Sequence, residues 1–402
     1  MYIDNYKIFI KKVWLYLILI PFLIPYGPND IIAWYKDAYT SWMELVTILM
    51  ALSLVVYGIN GNLKINKAIC MLLIYHVVFL IITLVEQHSI TNGFQKLLST
   101  PILILYLSNE LKQEFKNLLV VLGNIFLCNF TLNLLVFNGY FFKNLYSVDN
   151  HIMFLGHVQI MSILGIIGIY LGYALIKNGY NVKGKILILL SIGNMLYSQT
   201  SVSYFALLLL VLLYVLSNNK IISLFIVKHI KFIILLIFLI SGYLLFLASN
   251  LQNTDFYIDF SRIFNSRPTI WNLGLLSFYK SKLLGYGAYG VQLKPYWLDW
   301  QLGATGFNYA HNTLLQLILD GGVVLAICFY IMIDICVDNI KQLTFQVKFW
   351  LYSFLIILLF IGLAESITDR VYFFIFLTLI VSSKYGNYES VVKNNEFKKI
   401  PK

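Results

Sequence analysis

Apolar runs of about 15 to 20 residues recur along the whole chain, and they restrict its fold more than any other feature. A backbone in hydrocarbon must satisfy its own polar groups, so only helices and closed barrels cross a bilayer. Runs of this length suit helices, because a helix needs about 20 residues to cross and a tilted strand only about 10. The pattern predicts an all-α polytopic membrane protein with about 12 transmembrane helices. The expected spans are 8–26, 40–58, 67–85, 94–108, 117–137, 152–176, 185–200, 202–216, 232–248, 308–333, 349–364 and 370–383. Hydrophobic residues make up 60% of the chain and charged residues 12%, which excludes an ordinary soluble domain. The pair 185–200 and 202–216 is short enough to be a hairpin or a re-entrant pair. Gly156, Gly165, Gly168 and Gly172 suit close helix packing.

The net charge of +11 is explained by topology and not by nucleic acid. Lysines collect in alternate loops: Lys64 and Lys67; Lys112 and Lys116; Lys177, Lys183 and Lys185; Lys220, Lys228 and Lys231; Lys341 and Lys348. Both termini are basic as well. The other set of short loops holds only Lys36, Lys96 and Lys143, diluted by acids such as Asp37 and Glu86. The positive-inside rule then puts both termini in the cytoplasm and residues 249–307 outside, as one large external loop. Lys7, Lys11 and Lys12 precede an apolar run with no small-residue cleavage site, so the first span is expected to be retained. The expected organisation is one transmembrane catalytic domain, 1–383, with the loop 249–307 inserted and a cytoplasmic tail 384–402. Cys70, Cys128, Cys328 and Cys336 lie in or beside spans without CxxC spacing, so neither a disulfide framework nor a metal site is expected.

Against 26 lysines there are three arginines: Arg262, Arg267 and Arg370. Arginine does what lysine does poorly, namely planar, forked binding of phosphate or carboxylate. Two of the three lie in the long polar stretch 249–307. That stretch is rich in rings, among them Trp271, Tyr286, Tyr289, Trp297 and Trp300, which suit either sugar faces or the membrane interface. Pro268 opens an expected helix over 268–282 with Ile270, Trp271, Leu275 and Phe278 on its apolar side. The simplest placement is flat on the outer leaflet, ending in the turn Gly285-Tyr286-Gly287.

Beyond the loop, Tyr309-Ala310-His311-Asn312 precedes a further helix. Asn312, Gln316 and Asp320 recur every four residues, so they drift by only about 40° per step and share one stripe. A polar stripe in a membrane faces protein or a wet cavity. His311 at its end could accept a proton from a hydroxyl, or could cap the helix with Asn312. Glu365 and Asp369, at the outer ends of the last spans, are alternative bases.

These residues also carry a resemblance to the O-antigen polymerase and O-antigen ligase family. Asn265-Ser266-Arg267 with Trp271 is similar to its Ser-Gly-Arg…Trp pattern. Leu284-Gly285-Tyr286-Gly287-Ala288-Tyr289-Gly290 resembles its Leu-Gly-x-Gly turn. His311-Asn312-x-x-Leu315-Gln316-x-x-x-Asp320-x-Gly322 resembles its His-Asn-x-x-Leu-Gln…Glu-x-Gly helix. Gly156-His157-Val158-Gln159 and Ala364-Glu365-Ser366 are weaker echoes. The chain departs from the pattern at Thr200-Ser201-Val202-Ser203-Tyr204, which lacks the usual arginine. Asp320 stands where glutamate is usual, and no Pro-Asn follows His157.

The resemblance implies a polysaccharide polymerase. Such an enzyme joins undecaprenyl-pyrophosphate-linked oligosaccharide units on the outer face of a bacterial cytoplasmic membrane. The glycosyl transfer is inverting and needs no metal or other cofactor. Arg267 and Arg262 would hold the pyrophosphate, with Arg370 as a third cation, and His311 would serve as base or orienter. Asn312, Gln316, Trp271, Tyr286 and Glu365 would line the substrate site. Beyond the lipid-linked substrate and the bilayer, a chain-length regulator is the implied partner, and nucleic acid is not. The alternatives are a glycan ligase acting on a lipid or protein acceptor and a polysaccharide-lipid flippase. A flippase should show internal repeats and short external loops.

Overall fold

A computed structural model describes residues 2–30, 32–63, 65–86, 93–136, 152–251, 254–288 and 309–386. Its helices are α1 (Tyr2–Leu19), α2 (Ala33–Ile59), α3 (Lys67–Val85), α4 (Thr100–Leu135), α5 (Ile160–Lys177), α6 (Asn181–Tyr197) and α7 (Ser201–Ser217). They continue with α8 (Lys220–Lys228), α9 (Ile230–Asn250), α10 (Asp255–Ile263), α11 (Arg267–Phe278), α12 (Thr313–Ile340), α13 (Phe345–Ile361) and α14 (Val371–Val381). The one sheet among the described residues is an antiparallel hairpin of β1 (Ile152–Met153) and β2 (Gly156–His157). Among the described residues, six helical runs are long and apolar enough to cross a membrane: α2, α3, Gln95–Leu135, α5, α9 and α12. Together α7 and α8 would make a seventh, bent by 116°; α13 and α14 are apolar but shorter. The chain is thus an all-helical polytopic membrane protein, with Leu189, Leu208, Phe232 and Leu239 among the apolar side chains on its outer surface.

Several expected boundaries move. The spans expected at 94–108 and 117–137 form one run, broken at Glu114 (φ −143°, ψ 56°). Polar contacts gather at the break: Lys11 pairs with Glu114 at 3.1 Å and with Glu110 at 3.4 Å, and Tyr57 donates to Glu110. Helix α5 begins at Ile160, not 152, because Gly156 belongs to the hairpin. The remaining glycines behave as expected: a Cβ on Gly172 would come within 2.7 Å of the Gly184 carbonyl oxygen, so α5 and α6 touch backbone to backbone. Lys231 pairs with Asp334 at 2.6 Å and Asp338 at 3.0 Å. These clusters join helix ends that the lysine alternation assigns to one side of the membrane. The four cysteines are free thiols.

The interior is aromatic. Tyr75 meets Phe329 and Phe374 with ring centroids 5.9 and 5.8 Å apart, and Tyr170 meets Phe376 at 5.0 Å. A smaller second core lies under α10 and α11. Trp271 is fully buried there, against Phe260, Phe264, Leu245 and Leu315. This corrects the expectation of a helix lying on a lipid surface, since the apolar side of α11 packs against α9 and α12.

Helix α12 is broken inside the bundle at Gly321 and Gly322. Gly322 has φ +62°, and a Cβ there would lie 2.0 Å from the Leu283 carbonyl oxygen. The break frees backbone groups for the turn after α11. The Tyr286 amide donates to the Leu319 carbonyl at 2.8 Å, and the Val323 amide to the Lys282 carbonyl at 2.9 Å. Gly285 (φ +64°) completes the turn, where a Cβ would meet the Leu319 carbonyl oxygen at 2.5 Å. Only glycine fits such left-handed, crowded positions without strain. The two glycine motifs therefore dock on each other and fix the segment that carries Arg267.

Candidate active site

The left-handed pair Asn265 (φ +50°) and Ser266 (φ +61°) turns the chain from α10 into α11. Arg267 and Pro268 then form the first turn of α11, where proline loses no helix hydrogen bond. Arg267 is buried and donates to Glu365 Oε1 at 2.6 Å. Glu365 is buried too, in the segment between α13 and α14. Its other oxygen, Oε2, lies 3.5 Å from His311 Nδ1. Burial by itself would push the Glu365 carboxyl up. The His311 hydrogen bond and the charges of Arg267 and Arg370 outweigh it, and the carboxyl is held below its ordinary value.

His311 has φ +51° and immediately precedes α12. Asn312 caps that helix, accepting from the Leu315 amide at 2.9 Å, which is worth about 1 kcal/mol. Its amide group donates to the Leu363 carbonyl at 3.0 Å. Thr313 Oγ1 donates to the Glu365 carbonyl at 2.7 Å, and the Trp271 indole donates to the His311 carbonyl at 3.4 Å. The backbones on either side of the Arg267–Glu365–His311 cluster are thus tied together. Tyr309 stacks 4.1 Å from the His311 ring, centroid to centroid, and donates to Gln159 Oε1 at 3.1 Å. The Arg370 guanidinium lies 5.5 Å above the Tyr309 ring. Burial, then Glu365, push the Tyr309 phenol up against the pull of Arg370 and Arg267, so it stays protonated.

Arg267 and His311 face a cleft of about 940 Å³. Its lining is mixed, with polar residues such as Gln159, Ser198, Gln199 and Thr200 and apolar ones such as Leu244, Phe264, Ile270 and Phe360. Phe205, half-exposed on α7, belongs to the lining and connects the cleft to the outer surface of the bundle.

The structure brings together Arg267, His311 and Glu365, with Arg370 one layer behind Tyr309. Other expected site residues are placed differently. Arg262 is exposed on α10, paired with Asp259 at 3.1 Å, and does not line the cleft. The tight turn at Asn265 and Ser266 puts the two neighbouring arginines on separate helices. Trp271 is core, without a face open to a sugar. Tyr286 donates to the Ser277 carbonyl at 2.8 Å and packs on the second core. Asn312 and Gln316 are buried and saturated by neighbours, so they set backbones and do not line the cleft. Tyr289, Trp297 and Trp300 lie outside the described residues.

Three participants had no strong sequence signal. Gln159 and Tyr309 form a wall contact across 150 residues. Lys96 read as a loop lysine, yet it is buried and bonded to Asp369. Its only sequence cue was its place at the start of an apolar run.

The fold and site together define a polytopic helical membrane protein with an arginine–carboxylate–histidine cluster beside a large cleft. Residues 186–330 match the family model for O-antigen ligase. The matched stretch, which carries Arg267 and His311, is thus similar to that family. Glu365, Arg370 and Lys96 lie outside the match. No curated protein matches the chain.

Proposed function

We propose that the chain is a polysaccharide polymerase, joining oligosaccharide repeats carried on undecaprenyl pyrophosphate at the outer face of the cytoplasmic membrane. The observation that carries this reading is the Arg267–Glu365–His311 cluster, two members of which, Arg267 and His311, line a large cleft of mixed polar and apolar residues. The acceptor hydroxyl attacks the anomeric carbon of the donor sugar. The new C–O bond forms as the sugar–pyrophosphate C–O bond breaks, with inversion. The hydroxyl proton passes to the His311 ring nitrogen that faces away from Glu365. Glu365, held ionised, orients the imidazole and stabilises its protonated form, as a carboxylate does behind many catalytic histidines. The lipid pyrophosphate leaves with the bonding pair, and Arg267 stabilises the charge it gains. Arg370 supplies further positive potential from behind Tyr309.

Each carboxylate near the cleft already faces a cation: Glu365 faces Arg267, and Asp320 and Asp369 face Lys96. This donor set supports the reading in which arginine stabilises the developing charge. The Lys96–Asp369 and Arg267–Glu365 contacts join segments that the lysine alternation assigns to the outer side, which supports the placement of the reaction there. The family match, described as an O-antigen ligase, favours a second reading in which finished glycan passes to a lipid or protein acceptor by the same chemistry. The deciding experiment is reconstitution with a lipid-pyrophosphate-linked single repeat. A ladder of lipid-linked polymer is expected. No polymer, together with transfer to an added acceptor, would establish the ligase instead.

A further inference from the structure

The wide helical turn Gln95–Ser99 precedes α4 and carries Lys96 into the interior, where its side chain is 8% exposed. A lysine is almost never buried to that extent unless paired. Lys96 Nζ bonds Asp369 Oδ1 and lies 3.8 Å from Asp320 Oδ2. Two arms leave this ammonium. Along the first, Asp320 Oδ1 accepts from Gln316 Nε2 at 2.9 Å, and Gln316 Oε1 accepts from the Ala310 amide at 2.8 Å. Ala310 is bonded directly to His311, whose left-handed backbone this contact helps to set. Along the second, Asp369 ends the turn Ile367–Asp369, and the next residue, Arg370, lies over the Tyr309 ring. Tyr309 stacks on His311, so the two arms meet.

We propose that Lys96 is a positioning residue. By gripping Asp320 and Asp369 together, it sets the spacing between His311 and Arg370 and so fixes where the anionic group of the substrate sits relative to the base. This inference rests on the reading of the cleft as a lipid-pyrophosphate site. The charges agree with it. Lys96, Arg267 and Arg370 balance Asp320, Asp369 and Glu365 one for one, and Lys96 is the cation that faces two of the acids. Asp369 therefore stays aimed at Lys96, and the Arg370 guanidinium keeps its place above Tyr309.

Removing Lys96 alone leaves two buried acids short of a cation, and the protein could simply unfold. The test therefore uses full-length, detergent-solubilised Lys96→Met/Asp320→Asn, in which the surplus charge is also removed, beside wild type and Lys96→Arg. Three quantities are measured: the thermal midpoint, the affinity for farnesyl pyrophosphate, and the turnover of a lipid-pyrophosphate-linked repeat. The double variant is expected to regain the wild-type midpoint. Its turnover should be about 100-fold down, the cost typical of a displacement of about 1 Å at a reacting centre, with weaker farnesyl pyrophosphate binding. Lys96→Arg should restore part of both. If the double variant regains activity and affinity along with its stability, Lys96 only balances charge and the proposal is overturned. If wild type itself does not bind farnesyl pyrophosphate, the lipid-pyrophosphate reading fails first and takes this proposal with it.

Discussion

Replacing Arg267 by lysine keeps the charge and removes the fork. In the structure one guanidinium nitrogen is committed to Glu365 Oε1 at 2.6 Å, while the same side chain faces the cleft. A guanidinium can serve both partners because its donors point in fixed, divergent directions. A single ammonium can follow the carboxylate or the substrate phosphate. The buried carboxylate, already in place, keeps it. On the proposed function, the substrate then loses one charge-assisted contact that would strengthen as the pyrophosphate leaves. Loss of one such donor typically lowers turnover about 10²–10³-fold, or about 2.7–4 kcal/mol. Stability should change far less, since Glu365 keeps a counter-charge. Arg267→Ala is different: it strands Glu365 without its cation, and breaking a buried pair this way costs about 3–5 kcal/mol, a large share of a typical folding free energy. Purified variants should be assayed in proteoliposomes with a lipid-pyrophosphate-linked repeat, with thermal unfolding followed in parallel. The lysine variant should be well folded and nearly inactive, and the alanine variant both inactive and unstable. A lysine variant working within threefold of wild type would refute a forked, substrate-facing arginine.

His311→Ala should insert and fold but accumulate lipid-linked single repeats, with turnover down about 10²–10⁴-fold; electrophoresis of the lipid-linked products reads this directly. Arg262→Lys and Arg262→Ala should polymerise at near wild-type rates, since Arg262 is exposed and paired only with Asp259. Glu365 makes stability depend on pH in one direction. Its folded value is depressed, so its contribution is complete above the ordinary carboxylate value of about 4.3 and is lost as pH falls through the lower folded value. The midpoint difference between wild type and Glu365→Gln should therefore be flat from about pH 7 to 5 and shrink below about pH 4; a difference that grows in acid would contradict the ion pair. In a background lacking the native cysteines, Arg262→Cys should react with an impermeant thiol reagent in intact cells and Lys228→Cys should not, and the opposite result would invert the topology.

The local part of the site was legible because its information is local. The His311-Asn312 pair and the spacing of Gln316 and Asp320 describe one helix end and one stripe, and a helix does start there with Asn312 as its cap, although it breaks at Gly321 and Gly322 and runs on to Ile340. Arg267 stood out because arginine is rare here and proline follows it. The same rarity misled at Arg262. Five residues in sequence suggest proximity, but two consecutive left-handed residues, neither of them glycine, reverse the chain between α10 and α11. The aromatic residues misled for a related reason: a ring pattern on one helix face cannot tell a lipid surface, a sugar and a second protein core apart, and Trp271 took the third.

What no sequence window could supply is the pairing of distant charges. Lys96 lies 273 residues from Asp369, and Arg267 lies 98 from Glu365. On a membrane chain each of these residues looks tolerable alone, at a span's end where water is near. The structure removes that water and leaves the charges to satisfy one another, which they do in pairs contributed by the first, middle and last thirds of the chain. A reactive centre assembled in this way depends on the packing of the whole bundle. A substitution at the α5–α6 glycine contact, far from any reacting atom, should therefore depress turnover through the cleft wall at His157 and Gln159. A bulky replacement such as Gly172→Leu, measured by the same proteoliposome assay, is expected to fold with lowered stability and lowered turnover; unchanged turnover in a destabilised bundle would show that the cleft is held independently of that contact.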